Sequence, residues 1–215
     1  MHLRARQNMT TLGTALAVTV AVYVVALSLS PDEAERFTAE SGPVETASAV
    51  FYILGAMCLA ALLPRSWPYF VVMVAFALRE FDLDKRGFTE GLLKSKQYVS
   101  SEVSLIERLY SILLLGFILT ALFLVVRRGF QAFLTGLKGG NGIALSVLFG
   151  LFFGATSKLI DGLGRKLEPF GITLSDRSAQ AAALYEEVAE FGMALSLFLV
   201  CVAVLYASYG PQGHS

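Results

Sequence analysis

Phe76-Ala77-Leu78-Arg79-Glu80-Phe81-Asp82-Leu83-Asp84-Lys85-Arg86 is the stretch on which the reading of this chain turns. It continues an apolar run that starts near Trp67 and fills with charge too early to finish crossing a bilayer. A membrane-spanning helix needs about 20 apolar residues, and far fewer stand between Trp67 and Arg79. An ion left in the hydrocarbon layer costs about 2.5–3.5 kcal/mol on insertion scales unless it is paired or hydrated. The charges therefore belong at the lip of an apolar layer, and the other segments are read by asking which of them bring partners there.

Working outward, the composition sets the class. The chain has 215 residues, of which 55% are hydrophobic and 16% charged, and its mean hydropathy is +0.64. These values do not suit a soluble globule of this size; they predict an all-α, polytopic integral membrane protein. Net charge is zero, which gives a nucleic-acid partner no electrostatic support. Cys58 and Cys201 each sit inside an apolar run and read as small buried hydrophobes rather than a disulfide. His2 and His214 stand at the two ends of the sequence, so no histidine is expected inside a bundle.

The apolar runs predict a six-transmembrane-helix bundle in one domain, residues 1–215, with helices at 11–30, 44–63, 67–84, 103–126, 143–162 and 179–209. The first run exceeds the 7–15 residues usual for a signal-peptide core, so it reads as a retained helix. Pro43 suits the first turn of the second helix. Pro31 to Gly42 reads as a solvated acidic loop, and Gly87 to Ser101 as an exposed connector with a short surface helix around Gly91–Lys94. Arg127-Arg128 is expected to end the fourth span. Gly136 to Gly142 is a glycine-rich turn without the residue order of a phosphate loop. On the fifth span Ser146, Gly150 and Gly154 recur every four residues, a stripe on which helix backbones approach closely. The same stripe continues to Lys158, which should face a neighbouring helix. It is also the surface through which a homo-oligomer or a membrane-protein partner is expected.

Six crossings sort the charges by end. Arg4, Arg6, Arg65, Arg127, Arg128 and Lys138 share one end with no acid, while all 17 Asp and Glu fall at the other. The all-basic end reads as cytoplasmic, with both termini on that side of a bacterial inner membrane. The acid-bearing end receives Glu45, Arg79 to Arg86, Glu107, Lys158 with Asp161, and Glu186, Glu187 and Glu190. If helical, Glu80 and Asp84 share a face, as do Glu186 and Glu190. Like charges so placed require relief from a cation, a shared proton, or Arg and Lys of other helices.

The chemistry expected of such a site follows from its residue types. Glu80, Asp84, Glu186 and Glu190 are the metal-ligand candidates, and oxygen-only ligands favour a hard divalent cation such as Mg²⁺, Ca²⁺ or Mn²⁺. Arg79, Arg86 and Lys158 are candidates for holding an anionic substrate group. Glu80, Glu190 and Asp82 are the candidates for acid–base catalysis. Each additional candidate has a structural alternative: Glu45 as a helix-dipole partner, Glu107 in a capping box with Ser104, Asp161 in a surface pair. Glu187 belongs with the acids of the last helix.

Glu40-x-Gly42-Pro43-x-Glu45, Arg79-Glu80-x-Asp82 with Arg86, and Lys94, Tyr98 and Glu107 together resemble a group of small bacterial multi-pass inner-membrane proteins with no assigned activity. The resemblance covers about residues 40–110 and implies a site without implying its reaction. The ceramidase and progestin-receptor-like membrane hydrolases bind zinc through histidines, which the expected bundle lacks, since His2 and His214 stand at the ends of the sequence. CAAX-type membrane proteases have a Glu-Glu pair resembling Glu186-Glu187, but Phe191 stands where they need Arg.

Three classes of function stay open. The first is a hard-cation-assisted enzyme acting on a membrane lipid or other anionic amphiphile. The second is a cation- or proton-coupled sensor or transporter, and the third a non-catalytic membrane assembly partner.

Overall fold

The computed structural model describes residues 2–39 and 42–209, and every regular element among them is helical. Glu40 of the first resemblance pattern and His214 lie outside the described residues, as do the side chains of His2, Arg4, Arg6 and Glu35. The helices are α1 (His2–Ser28), α2 (Pro31–Thr38), α3 (Pro43–Ala60), α4 (Trp67–Glu80), α5 (Leu83–Arg86), α6 (Lys96–Val99), α7 (Leu105–Lys138), α8 (Gly142–Ile160), α9 (Leu163–Leu167) and α10 (Asp176–Tyr209).

Five of these, α1, α3, α7, α8 and α10, are long and apolar enough to cross a membrane. The expected sixth span is a helix of only 14 residues, α4, about 21 Å long at 1.5 Å per residue. That is short of the roughly 30 Å of a hydrocarbon core. Its end is set by Asp82, which adopts the left-handed conformation at φ 53°. Asp tolerates that region better than most side chains, and one such residue is enough to turn a helix. The carbonyl of Asp82 then accepts from the amides of Lys85 and Arg86, starting α5 in a new direction. The helix expected to continue to residue 84 is therefore broken, and Glu80 and Asp84 do not share a face.

Other boundaries also move. The helix that carries the fourth span does not stop at Arg127 and Arg128, because Arg is a good helix former; α7 runs 34 residues, to Lys138. Asn141 then caps α8 by accepting from the amides of Ile143 and Ala144. The acidic segment after α1 is a helix, not a loop: Ser30 donates its amide (3.0 Å) and its hydroxyl (2.6 Å) to Glu33. Those two bonds, the hydroxyl's first, hold the Glu33 carboxyl below its ordinary pKa. The surface helix of the connector is α6, beyond the expected Gly91–Lys94.

α10 is the hub, packing against α1, α3 and α8. α4 lies on the outer side of α3 and touches α7, which in turn touches α8. The main apolar core joins Tyr52, Ala56 and Leu59 of α3, Met73 and Ala77 of α4, and Ala194 and Cys201 of α10, with Cys58 packed beside it. A second patch joins Val44 to Phe191 and Leu195, and a third ties Ala26 and Ala34 to Leu184. Four of the buried hydroxyls are satisfied within their own helices: Thr19, Ser48, Ser146 and Ser196 each donate to the carbonyl four residues earlier.

The small-residue stripe of α8 is used within the chain. A Cβ at Gly150 would stand 3.3 Å from the Cβ of Ser196, and one at Gly154 would meet the Met193 thioether. On the facing helix, a Cβ at Gly192 would lie 2.9 Å from both the Phe153 ring and the Thr19 methyl, so this glycine lets α10 sit between α1 and α8. Gly192→Ala is expected to lose about 1–3 kcal/mol through overpacking. Gly154→Ala should lose less, because the flexible Met193 can turn away. Thermal unfolding of the two variants in detergent, at about 2–4 °C per kcal/mol for a chain of this length, checks the order.

Candidate functional site

The register that places Gly150 against Ser196 also places the end of α8 against the acids of α10. The Oγ of Ser157, fully buried, donates to Oε1 of Glu190 at 2.9 Å. One residue on, Lys158 Nζ stands 2.6 Å from the same oxygen. Arg79 reaches it from α4, with 3.6 Å between guanidinium nitrogen and carboxylate oxygen, an ion pair too long for a hydrogen bond. Three helices thus converge on Glu190, whose side chain is only 18% exposed. Thr156 adds a further polar rung between α8 and α10, its hydroxyl accepting from Tyr185 at 2.9 Å.

Lys158 serves more than one acid. It lies 3.9 Å from Glu186, one turn before Glu190 on α10, and 3.9 Å from Asp161 at the end of α8. Lys166 turns back and donates to the carbonyls of Lys158 (2.9 Å) and Leu159 (3.3 Å), closing the helix end that carries the site lysine.

Between α4 and α8 lies a cleft of about 210 Å³. Its lining combines Arg79, Glu80, Lys158 and Glu190 with Tyr52, Leu151, Gly154, Ala155 and Met193. The charged groups are at one end of the apolar wall that α8 supplies. Leu151, Ala155 and Lys158 are exposed, so the cleft can be entered from outside the bundle. Glu80 makes no hydrogen bond or ion pair among the described residues, and the same holds for Glu187.

A smaller recess of about 80 Å³ lies behind it, lined by Glu45 and Thr46 of α3 and by Glu80, Phe81, Asp82 and Arg86. Asp82 is paired there with Lys85 and, at 4.0 Å, with Arg86.

The candidate residues therefore divide. Arg79, Glu80, Lys158 and Glu190 meet at the cleft, with Glu186 and Asp161 joined to them through Lys158. Arg86, expected beside Arg79 and Lys158, faces the recess instead, because the turn at Asp82 swings it away. Asp82 lines that recess as the turn residue itself. Asp84 is separated from Glu80 by the same turn; its carbonyl accepts from the Leu92 amide at 2.7 Å and its Oδ1 is buried without a hydrogen-bond partner.

Among the described residues no three of His, Cys, Asp and Glu stand where they could hold a metal ion, so the expected ligand set of Glu80, Asp84, Glu186 and Glu190 is not assembled. The Glu190 oxygen such an ion would need already accepts from Ser157 and faces Lys158.

Glu107 belongs to another structure altogether. Its backbone amide donates to Ser104 as a cap does, but its carboxylate accepts from the Thr89 amide (2.7 Å), the Thr89 hydroxyl (2.8 Å) and the Gln97 side chain (2.9 Å). Gln97, fully buried, also donates to Ser111 and accepts from the Glu90 amide. This network clips the connector between α5 and α7 onto the start of α7.

Sequence reasoning missed Ser157, Tyr52, Thr156 and Tyr185. A lone Ser or Tyr within an apolar run carries no signal of its own. The one usable hint was adjacency, since Ser157 precedes the lysine that the stripe on α8 points at a neighbour.

Compared with family models, with curated proteins and with solved structures, the chain finds no match.

Two measurements test this geometry. A double-mutant cycle with Lys158→Met and Glu190→Gln, read as stability, is expected to give a coupling of about 1 kcal/mol; the exposure of the lysine keeps it well below a fully buried pair. Gln97→Leu removes one end of the clip and leaves buried polar groups unpaired, at a cost of about 1–3 kcal/mol. Limited proteolysis should then cut residues 87–104 first, with the cleft residues unaffected.

Proposed function

We propose that this chain is an integral membrane protein whose cleft between α4 and α8 takes the polar end of an amphiphile from the surrounding bilayer. The observation that supports this is the composition of the cleft. Leu151, Gly154, Ala155 and Met193 offer a wall for an apolar chain, and Arg79, Glu80, Lys158 and Glu190 form the end that meets a head group. Two cations share the carboxylate of Glu190, and Arg79 stands beyond hydrogen-bond reach of it at 3.6 Å, which leaves guanidinium donors for an incoming anion. Arg79 and Lys158 would hold a phosphate or carboxylate by charge-assisted hydrogen bonds. Glu80, the cleft carboxylate without a partner, is then the group placed to give or take a proton at the head group. The acid-bearing end faces away from the cytoplasm in this reading, because Arg65, Arg127, Arg128 and Lys138 gather at the opposite end of the bundle. A bacterial inner membrane suits that arrangement. Hard-cation assistance is not part of the proposal, since Lys158 and Ser157 occupy the Glu190 oxygen it would use.

Lipid extraction and mass spectrometry of detergent-purified protein provide the test. The wild type is expected to retain an anionic amphiphile in near-stoichiometric amount. Losing one charge-assisted contact in Arg79→Gln should lower the retained amount by about tenfold or more. Ala155→Trp, which fills the apolar wall and leaves the charges in place, should do the same. Retention unchanged in both variants would remove the cleft from consideration.

A further inference from the structure

Among the described residues, Glu80 is the only one common to the linings of the cleft and the recess, and so forms the partition between them. The two spaces differ in character. The cleft is largely apolar in its wall, whereas the recess is bounded by Glu45, Thr46, Asp82 and Arg86 with Phe81 as its one apolar neighbour. A buried water needs roughly 10–15 Å³ of such volume and two to four polar partners. The recess has about 80 Å³ and counts Glu45, Thr46, Glu80, Asp82 and Arg86 in its lining, which meets both conditions. Its rim also opens to the outside of the bundle, because Thr46 and Arg86 are exposed, and the Arg86 charge favours water there over lipid.

Every other ionisable group next to Glu80 at this partition either is held by a partner or stands to one side. Glu190 is bound by Lys158, Arg79 and Ser157, and Asp82 by Lys85 and Arg86. Glu45 approaches from α3 on the recess side, Tyr52 from α3 on the cleft side, and Glu187 from α10. Glu80 has no hydrogen bond or ion pair among the described residues to hold its carboxyl toward either space.

We propose that Glu80 relays protons between water in the Glu45–Asp82–Arg86 recess and the group held in the cleft, so that the recess is the aqueous port of an otherwise membrane-facing site. In one direction, hydronium in the recess gives its proton to a Glu80 carboxylate oxygen and leaves as water. The carboxyl then rotates about its side-chain bonds and passes that proton to an oxygen or nitrogen of the head group, returning as carboxylate. The reverse sequence removes a proton. The inference rests on the amphiphile reading for what lies in the cleft, but the port itself does not depend on any ligand.

Accessibility separates the two. In a background with Cys58→Ala and Cys201→Ala, Glu80→Cys protein in vesicles is treated with a charged, water-soluble methanethiosulfonate, and labelling is followed by mass spectrometry. The thiol at position 80 is expected to react, and Thr46→Trp, which fills the recess, to slow it by about tenfold or more, since thiol modification follows access. Ala155→Trp, which fills the cleft, is expected to leave the rate within about twofold.

No labelling, or a rate that falls with Ala155→Trp and not with Thr46→Trp, overturns the proposal. Because Glu80→Cys alters a site residue, the same comparison is made with Glu80 intact. A water-soluble carbodiimide and an amine nucleophile should modify Glu80, and Thr46→Trp should protect it. Absence of modification in the folded wild type, or modification indifferent to Thr46→Trp, overturns it equally. Loss of amphiphile retention with the port intact would count against the cleft reading alone.

Discussion

A carboxylate in the middle of a helix that is otherwise packed on three sides must be compensated, and in this chain that carboxylate is Glu190. Of the residues after it, Phe191, Gly192, Ala194 and Leu195 are buried, and the segment touches α1, α3 and α8. Withdrawing one partner from a buried pair is far more damaging than the pair is stabilising, because the charge left behind is uncompensated. The compensation comes from side chains on two other helices: Ser157 and Lys158 on α8, Arg79 on α4. It therefore fixes register as well as charge. Sliding α8 along α10 by one turn would remove Ser157 and Lys158 from Glu190. The same slip would separate Thr156 from Tyr185 and drive Gly150 off Ser196.

That coupling explains which parts of the architecture could be read from sequence. The long apolar segments are visible because their hydropathy is a bulk property, and five of them are helices of sufficient length. The stripe Ser146-x-x-x-Gly150-x-x-x-Gly154-x-x-x-Lys158 located the seam and its charged end, since helical periodicity alone carries that information. The meeting of Arg79, Lys158 and Glu190 followed from counting crossings. What could not be read was decided by single residues. One left-handed Asp82 shortens α4, parts Glu80 from Asp84 and carries Arg86 into a different recess. Asp is common in helices, turns and caps alike, so its conformation is a tertiary outcome. Glu107 shows the opposite limit: its capping-box spacing from Ser104 was legible, but its carboxylate bonds Thr89 and Gln97 across the connector, which no local pattern encodes.

The two helices between which the cleft lies, α4 and α8, end in the same manner. α4 stops at Asp82 and α8 at Gly162, both left-handed, each within a few residues of the charges it delivers. A helix continued past those points would carry Glu80 and Lys158 into its interior turns, with their side chains spread over a continuous face. Terminating it there leaves the charges on the last turn, where Arg79 and Lys158 also oppose the negative end of the helix dipole. Lys166 completes the arrangement on α8 by taking the free carbonyls of Lys158 and Leu159.

The shortness of α4 is thus tied to the site rather than incidental to it. At about 21 Å, it falls roughly 9 Å short of a hydrocarbon core. In the membrane reading, that missing length lets polar groups and water enter beside the bundle without crossing it. The segment from Asp82 to Ser104 folds back at that level and is held to α7 by Glu107 and Gln97. The recess behind Glu80 exists because the chain turns there instead of continuing as helix. A sixth full-length span would have filled that volume with backbone, and Glu80 would have faced only the cleft. The early charge in the Arg79–Arg86 stretch and the break at Asp82 are accordingly one feature. The break is what allows an ionisable side chain to stand between an apolar wall and a polar recess.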